Sequence, residues 1–501
     1  MIPSPPYRSV PSEARAAAAS LLLAALAGCA VGPDFQRPPP PSDTGYTEDA
    51  LPPAAGQGFA RGSEVQADWW TLFHCGELDG LIEQALRANA DLQAARATLR
   101  QAREAYAAEQ GDYLPQVSGT AGATRQRESD ASFGLPGGAV LYSLYTASIN
   151  VSYAVDLWGG TRRQVESAEA EADYQRFELE AARLTLAGNL ATSAIQEASL
   201  RGQIAASEQI IDAERQELDL VRRRFDLGGA AEAEVLSARA TLAAAETGLP
   251  PLRKQLAAIR AQLAVYAGAT PAGFDARPIT LDQFDLPGTL PVTLPSKLVE
   301  QRPDIRAAEE QLRSAGALVG VATANMLPQL KLTAGYGDSA VDAGTLLNPA
   351  STVWNIGAGL TQPLLDETTL LHRKRAAEAA FDAAAARYRG TVLKAFQDVA
   401  NALHAVSFDA AALEAEQAAE HASAEALSIA REQYALGAVA FATLLDAERT
   451  WQQARLGLVQ AEAARYADSV GLFAALGGGW WNRPAPEEPP AADPAKEQTA
   501  E

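Results

Sequence analysis

The side chains best suited to chemistry are few and scattered. Four histidines, His74, His372, His404 and His421, are spread over 501 residues. None stands in a spacing such as His-Glu-x-x-His, which would turn two imidazoles to one metal ion, so they read as surface or interface residues. The cysteines, Cys29 and Cys75, are too few for a disulfide framework or a Cys-based zinc site. The chain has two methionines, one of them Met1, and no Met-rich metal path. No Walker-type glycine loop is present to cradle phosphates, so any energy must come from a partner. The residues imply no cofactor and no enzyme. One charged pair stands out, Asp446 and Arg449, three residues apart and hence on one face of a helix. Opposite charges so placed can pair between helices or sit solvated on an exposed face. With 41 basic and 62 acidic residues, a formal charge of −21 argues against nucleic acid as a partner.

Cys29 has a chemistry of its own. Arg8 and Arg15 precede an apolar run, Ala16 to Ala27, that ends in Leu26-Ala27-Gly28-Cys29. The run is shorter than the roughly 20 residues a membrane helix needs, but it suits a signal-peptide core over 1–28. The small residues before the cysteine resemble the lipobox of bacterial lipoproteins. That resemblance implies cleavage before Cys29 and its acylation, each buried CH₂ contributing about 0.8 kcal/mol of anchoring to lipid. The alternative is an ordinary secretory signal with an incidental cysteine. Ala30 follows where an aspartate would suggest inner-membrane retention, which points to the outer membrane.

The elements that position these groups come in two copies. Asp91-Leu92-Gln93-Ala94-Ala95 and Asp304-Ile305-Arg306-Ala307-Ala308 lie about 213 residues apart and open similar segments. Phe225-Asp226-Leu227-Gly228 and Tyr434-Ala435-Leu436-Gly437 are a second matched pair. The expected division is an extended, Pro-rich tether over 29–65, a first repeat over 66–268, a linker over 269–295, a second repeat over 296–480 and a disordered tail over 481–501. In each repeat a helix gives way to strands. Residues 78–110 carry apolar positions at helical spacing up to Pro115, and the second copy begins at Arg302-Pro303-Asp304. Beyond each proline the period falls to two: Tyr145 to Leu157 alternate apolar and polar, as do Leu330 to Tyr336 and Trp354 to Thr361. A fourth strand, Gln116 to about Thr124, alternates weakly.

Strands of this length fit either a soluble amphipathic hairpin or a membrane barrel. Beyond the signal peptide no stretch is apolar enough for a transmembrane helix, so a crossing requires a barrel. Four strands cannot close one, which makes oligomerisation a requirement. A very long helix follows each strand pair. Residues 161–226 lack proline, would run roughly 100 Å at ~1.5 Å per residue, and place Ile204, Ile211, Leu218 and Phe225 seven apart. Leu413, Leu427 and Tyr434 keep that phase in the second copy. Gly228 and Gly437 then end these helices, and a second helix returns from each turn.

Together these features resemble the outer membrane factors, the TolC-like ducts, in the lipidated branch serving RND efflux pumps. The residues carrying the resemblance are the lipobox with Val31-Gly32-Pro33-Asp34-Phe35, the Trp69-Trp70-Thr71-Leu72-Phe73 stretch, Arg302-Pro303-Asp304-Ile305 and the two Leu-Gly turns. The resemblance implies a mainly α fold with a membrane β part. Three chains would form a tube of helical hairpins continued by a 12-stranded β-barrel, four strands from each. It further implies an exit duct for small molecules, working with a periplasmic adaptor and an inner-membrane RND-type transporter. Leu227, Gly228, Leu436 and Gly437 would then dock the adaptor, and Asp446 and Arg449 would hold the periplasmic gate. The first repeat has Ser237 and Ala240 at the equivalent places, while Val439, Ala442 and Thr443 depart from related gates. A type I protein-secretion duct and a lipidated coiled-coil tether remain as rival functions.

Overall fold

The computed structural model describes residues 30–43, 45–48, 56–129, 138–364 and 366–483. The signal peptide, Cys29 and the tail from 484 onward lie outside the described residues. The elements are β1 (Gly58–Arg61), α1 (Gly76–Ala88), α2 (Ala90–Gly111), β2 (Gln116–Ser129), β3 (Ala139–Val155), α3 (Gly160–Asp226), α4 (Glu232–Tyr266), β4 (Thr289–Val292), α5 (Pro295–Gln301), α6 (Pro303–Ala324), β5 (Gln329–Ala340), β6 (Thr352–Thr361), α7 (Glu367–Ala435) and α8 (Phe441–Ala475). The long helices α3 and α7 have 67 and 69 residues. No described helix is long and apolar enough to cross a membrane.

One compact unit takes Thr98–Gln175 and Ala307–Arg389, with the chain up to Pro38. Its centre is an antiparallel sheet in the order β2-β3-β5-β6. The register sorts the alternating residues onto two faces. Val117, Val151, Ala334 and Ile356 lie in one cross-strand row and Gly119, Ile149, Tyr336 and Trp354 in the next. A row of the opposite face runs Ser118, Asn150, Gly335, Asn355. There Thr120 and Ser148 share a 2.9 Å hydroxyl contact, and the Asn150 amide donates to both. The apolar face is bare: Trp354 is 71 % and Ile356 79 % exposed. Hydrophobic side chains so arrayed would be unfavourable in water. Neither β2 nor β6 has a second ladder partner among the described residues.

The segment after Ala30 forms no helix or strand, yet it is pinned to this unit. Val31 donates its N–H to the Trp158 carbonyl at 2.9 Å. The buried Arg163 donates to the Val31 carbonyl and to Asp34 and Glu166, and Arg37 reaches Glu309 at 2.6 Å. Gly32 has φ +98°, and a Cβ there would sit 2.4 Å from Gly320 Cα, so two backbones meet where no side chain fits.

The second unit gathers Pro39–Ala97, Arg176–Arg306 and the chain from Gly390. Trp69, Phe73, Phe284, Tyr466 and Phe473 interlock in its core, with Trp69 stacked on Phe473 at 5.4 Å. Here the repeats match in detail. Expected as one helix, residues 78–110 instead form α1 and α2, broken at Asn89. The Asn89 Oδ1 accepts from Leu92 N–H, while its Nδ2 donates to the Tyr266 carbonyl, the last residue of α4, at 3.1 Å. Arg302 stands at the corresponding break between α5 and α6. Its Nη1 donates to the carbonyl of Ala475, the last residue of α8, at 3.0 Å. Each break thus satisfies a carbonyl that a helix C-terminus leaves unpaired. The parallel pair β1–β4 and the short α5 were not anticipated. Nor was the passage of α4 through Pro250 and Pro251, both exposed, which removes two backbone donors without ending the helix.

Candidate functional site

Two groups of residues stand out: the bare sheet face and the ends of the long hairpins. At the hairpin ends the glycines work through backbone conformation. Gly228 has φ +76° and Gly437 φ +72°, the left-handed region that a side chain disfavours. Gly228 donates to the Phe225 carbonyl and Gly229 to that of Arg224, at 2.9 and 2.7 Å. Gly437 and Ala438 repeat the pattern on Tyr434 and Gln433, at 3.0 and 2.8 Å. Open space surrounds the Cα of both glycines. The preceding leucines, Leu227 and Leu436, are 87 % and 85 % exposed, so each turn presents one apolar side chain outward.

Behind the turns the two hairpins are locked together by a shared core. Leu218 and Val221 of α3, Ala238 of α4, Leu427, Ala430 and Tyr434 of α7, and Phe441, Leu444 and Leu445 of α8 are all buried there. Ile211, Leu218, Leu427 and Tyr434 of the heptad seam are buried, but Phe225 is 43 % exposed, because the helix ends one residue later. Tyr434 fastens the hairpins: its hydroxyl donates to Glu234 of α4 at 2.9 Å, and Arg224 of α3 lies 4.6 Å over its ring. Burial and this carboxylate push the Tyr434 phenol up to about 12.

Asp446 and Arg449 both lie on the exposed face of α8. The structure does not bring them together: among the described residues neither side chain makes an ion pair within the chain. Both residues are exposed, although the Arg449 charge is close enough to be felt by Glu214 of α3. The residue between them that sequence reasoning missed is Glu448. It is 3 % exposed, points the other way, is reached by Arg431 of α7 at 3.4 Å, and feels the charges of Glu214 and Glu217 of α3. A signal was present, because Phe441, Leu444, Leu445 and Glu448 follow the i, i+3, i+4, i+7 rule of a buried stripe. Among the described residues no cluster of His, Cys, Asp and Glu has the geometry to hold a metal ion. His404 stacks on Phe408, and His74 approaches Asp285 at 3.3 Å.

Comparison with known proteins places this geometry. The family described as "Outer membrane efflux protein" matches residues 81–269 and 294–478, one segment in each repeat. The pyoverdine export outer membrane protein OpmQ of Pseudomonas putida is 32 % identical over 444 residues, covering 86 % of this chain and 93 % of its own. The cation efflux system protein CusC of Escherichia coli is 27 % identical over 458 residues, covering 91 % and 97 %. Among solved structures, the outer-membrane channel OprN superposes with a TM-score of 0.83 at 29 % identity, covering 90 % of this chain and all of that one. The open state of the Neisseria gonorrhoeae MtrE outer membrane channel gives 0.76 at 27 %, covering 90 % and 99 %. With two helical hairpins, a four-stranded sheet and both repeats matched, this chain belongs to the outer membrane efflux protein family.

Proposed function

We propose that three copies of this chain close a 12-stranded barrel in the outer membrane and continue it as a helical tube, the exit duct of a tripartite efflux pump. The observation that carries this is the pair of unpaired sheet edges. In the order β2-β3-β5-β6 the edge strands run in opposite senses, so β6 of one copy meets β2 of the next antiparallel. All backbone groups within the bilayer would then be paired, as a membrane demands. The dimensions agree: ten steps along β3, from Tyr145 to Val155, span roughly 33 Å at ~3.3 Å each, or about 25 Å of height at a tilt of about 40°. The apolar face meets lipid and the polar face the bore.

Cys29 is the acylated residue in this reading. Ala30 packs against Gly159, just beyond β3, so the acyl chains would enter the leaflet beside the barrel's base. The Leu227-Gly228 and Leu436-Gly437 turns dock a periplasmic adaptor, and an inner-membrane RND-type transporter supplies the cargo. The relatives named for pyoverdine export and cation efflux support small solutes rather than polypeptides. Asp446 and Arg449, unpaired within one chain, pair between copies and hold the periplasmic end closed.

The test is cysteine crosslinking between copies. Cysteines at Thr120 of β2, paired in turn with cysteines at Asn355 and Gly357 of β6, share the polar face and should yield covalent dimers and closed trimers. Ala121 with Asn355, on opposite faces, should not. Crosslinks independent of face, or none from any pair, would overturn the barrel.

A further inference from the structure

We propose that Glu448 is a proton-operated latch, seating α8 against α3 and α7 when protonated and loosening that seam when ionised. The geometry carries it. Glu448 and Glu214 are each 3 % exposed, and Glu217 joins them from one turn further along α3. The only cation reaching Glu448 among the described residues is Arg431 of α7, at 3.4 Å and with its side chain 47 % exposed. Glu448 Oε2 and Glu217 Oε1 are buried without a hydrogen-bond partner. Three carboxylates cannot all stay charged in such a place.

The surrounding charges do not rescue them. Glu214 accepts from the Gln452 amide at 2.7 Å and feels Arg449 and Arg431, yet burial still raises it. Glu217 feels Arg431 and Arg224 and is also raised, chiefly by burial. On α4, Glu234 is engaged with Tyr434. Burial, with Glu214 beside it, lifts Glu448 to about 7. A carboxyl raised on packing favours the packed form below its unpacked value, and loses that advantage as pH rises to the packed one. The seam should therefore be tightest in mild acid and loosest above about pH 7.

The duplication sharpens the point. Position 448 corresponds to Arg239, which is exposed, and positions 214 and 217 to Ser423 and Ala426. The equivalent seam of α4 against α7 has no such cluster, so the device belongs to the α8 seam alone, beneath Asp446 and Arg449. Its effect on passage rests on the gate reading above; the latch itself does not.

Hydrogen exchange of the full-length protein in detergent, read by mass spectrometry over about pH 5 to 8.5 and corrected for intrinsic exchange, tests the latch directly. Peptides covering 441–455 should open more readily by up to about ten-fold per pH unit below about 7, then level off. Glu448→Gln should flatten the profile to the shallower dependence left by Glu214 and Glu217, and keep the segment protected. Glu214→Gln should make it level off at lower pH. A flat wild-type profile, or a Glu448→Gln profile that follows the wild type, would overturn the proposal. Channel conductance recorded alongside separates the two ideas: exchange that follows pH while conductance does not supports the latch and shows that it does not control passage.

Discussion

Replacing Arg302 by methionine should open one seam of the fold far more than replacing its counterpart in the first repeat. Arg302 is 9 % exposed and every arm of its guanidinium is engaged. Nε and Nη2 fork onto Asp304 at 3.0 and 2.7 Å, Nη2 also reaches Asp398 at 3.1 Å, and Nη1 reaches the Ala475 carbonyl. Methionine fills much of the volume and serves none of these acceptors. The orphaned carbonyl costs about 1–3 kcal/mol. The carboxylates are 40 % and 37 % exposed, so water screens them, and their loss is held to about 1 kcal/mol. A local loss of about 2–4 kcal/mol corresponds to roughly 30- to 1000-fold more frequent opening. Asn89→Ala removes one cap, and the carbonyl it releases, on the part-buried Tyr266, can turn to water where the buried Ala475 carbonyl cannot, so its loss is held to about 1–2 kcal/mol. Hydrogen exchange of peptides around 470–476 and 303–306 reads the first variant, and peptides around 90–93 and 264–269 the second. Arg302→Lys keeps a charge but cannot fork, and should fall between wild type and methionine. Equal effects at the two breaks, or faster exchange spread over the whole chain, would refute the assignment of Arg302 as the clasp of this seam.

Ile356→Lys places a charge on the lipid face and should cost about 2–4 kcal/mol per copy if near mid-bilayer; Asn355→Lys, on the bore face, should assemble normally, as read by the yield of trimers in outer membranes. Leu227→Asp with Leu436→Asp should abolish efflux of a fluorescent substrate while leaving trimers intact, because these side chains carry no packing inside the chain. Asp446→Ala and Arg449→Ala should each raise single-channel conductance without lowering trimer stability, whereas unchanged conductance in the double variant would assign them to a solvated helix face.

Much of this fold could be read from residue spacing. Proline at 115 and 328 ended one period and began another, and the alternation from Tyr145 to Leu157 gave the two sheet faces that the register displays. The glycines at 228 and 437 marked the turns because few other residues tolerate their backbone conformation. Tertiary contacts were less legible. Asn89 interrupts an unbroken helical pattern because its side chain caps α2; Asn followed by Asp91 is a capping signal, but the apolar spacing that runs on through it hides the break. β1 and β4 are four residues each and find one another across more than two hundred positions, beyond the reach of any local pattern. For the site, the outward charges Asp446 and Arg449 were visible as an asymmetry between repeats. Glu448 was obscured by its neighbours: a glutamate in a charged stretch reads as solvated unless its place in the apolar stripe is counted.

The most direct test of the duct is electrical. Purified full-length protein, reconstituted into planar bilayers as a sized trimer, should give discrete ion-conducting steps, with small conductance at rest and larger conductance in the Asp446→Ala, Arg449→Ala double variant. Trimers that insert and pass no current under any condition would contradict the account.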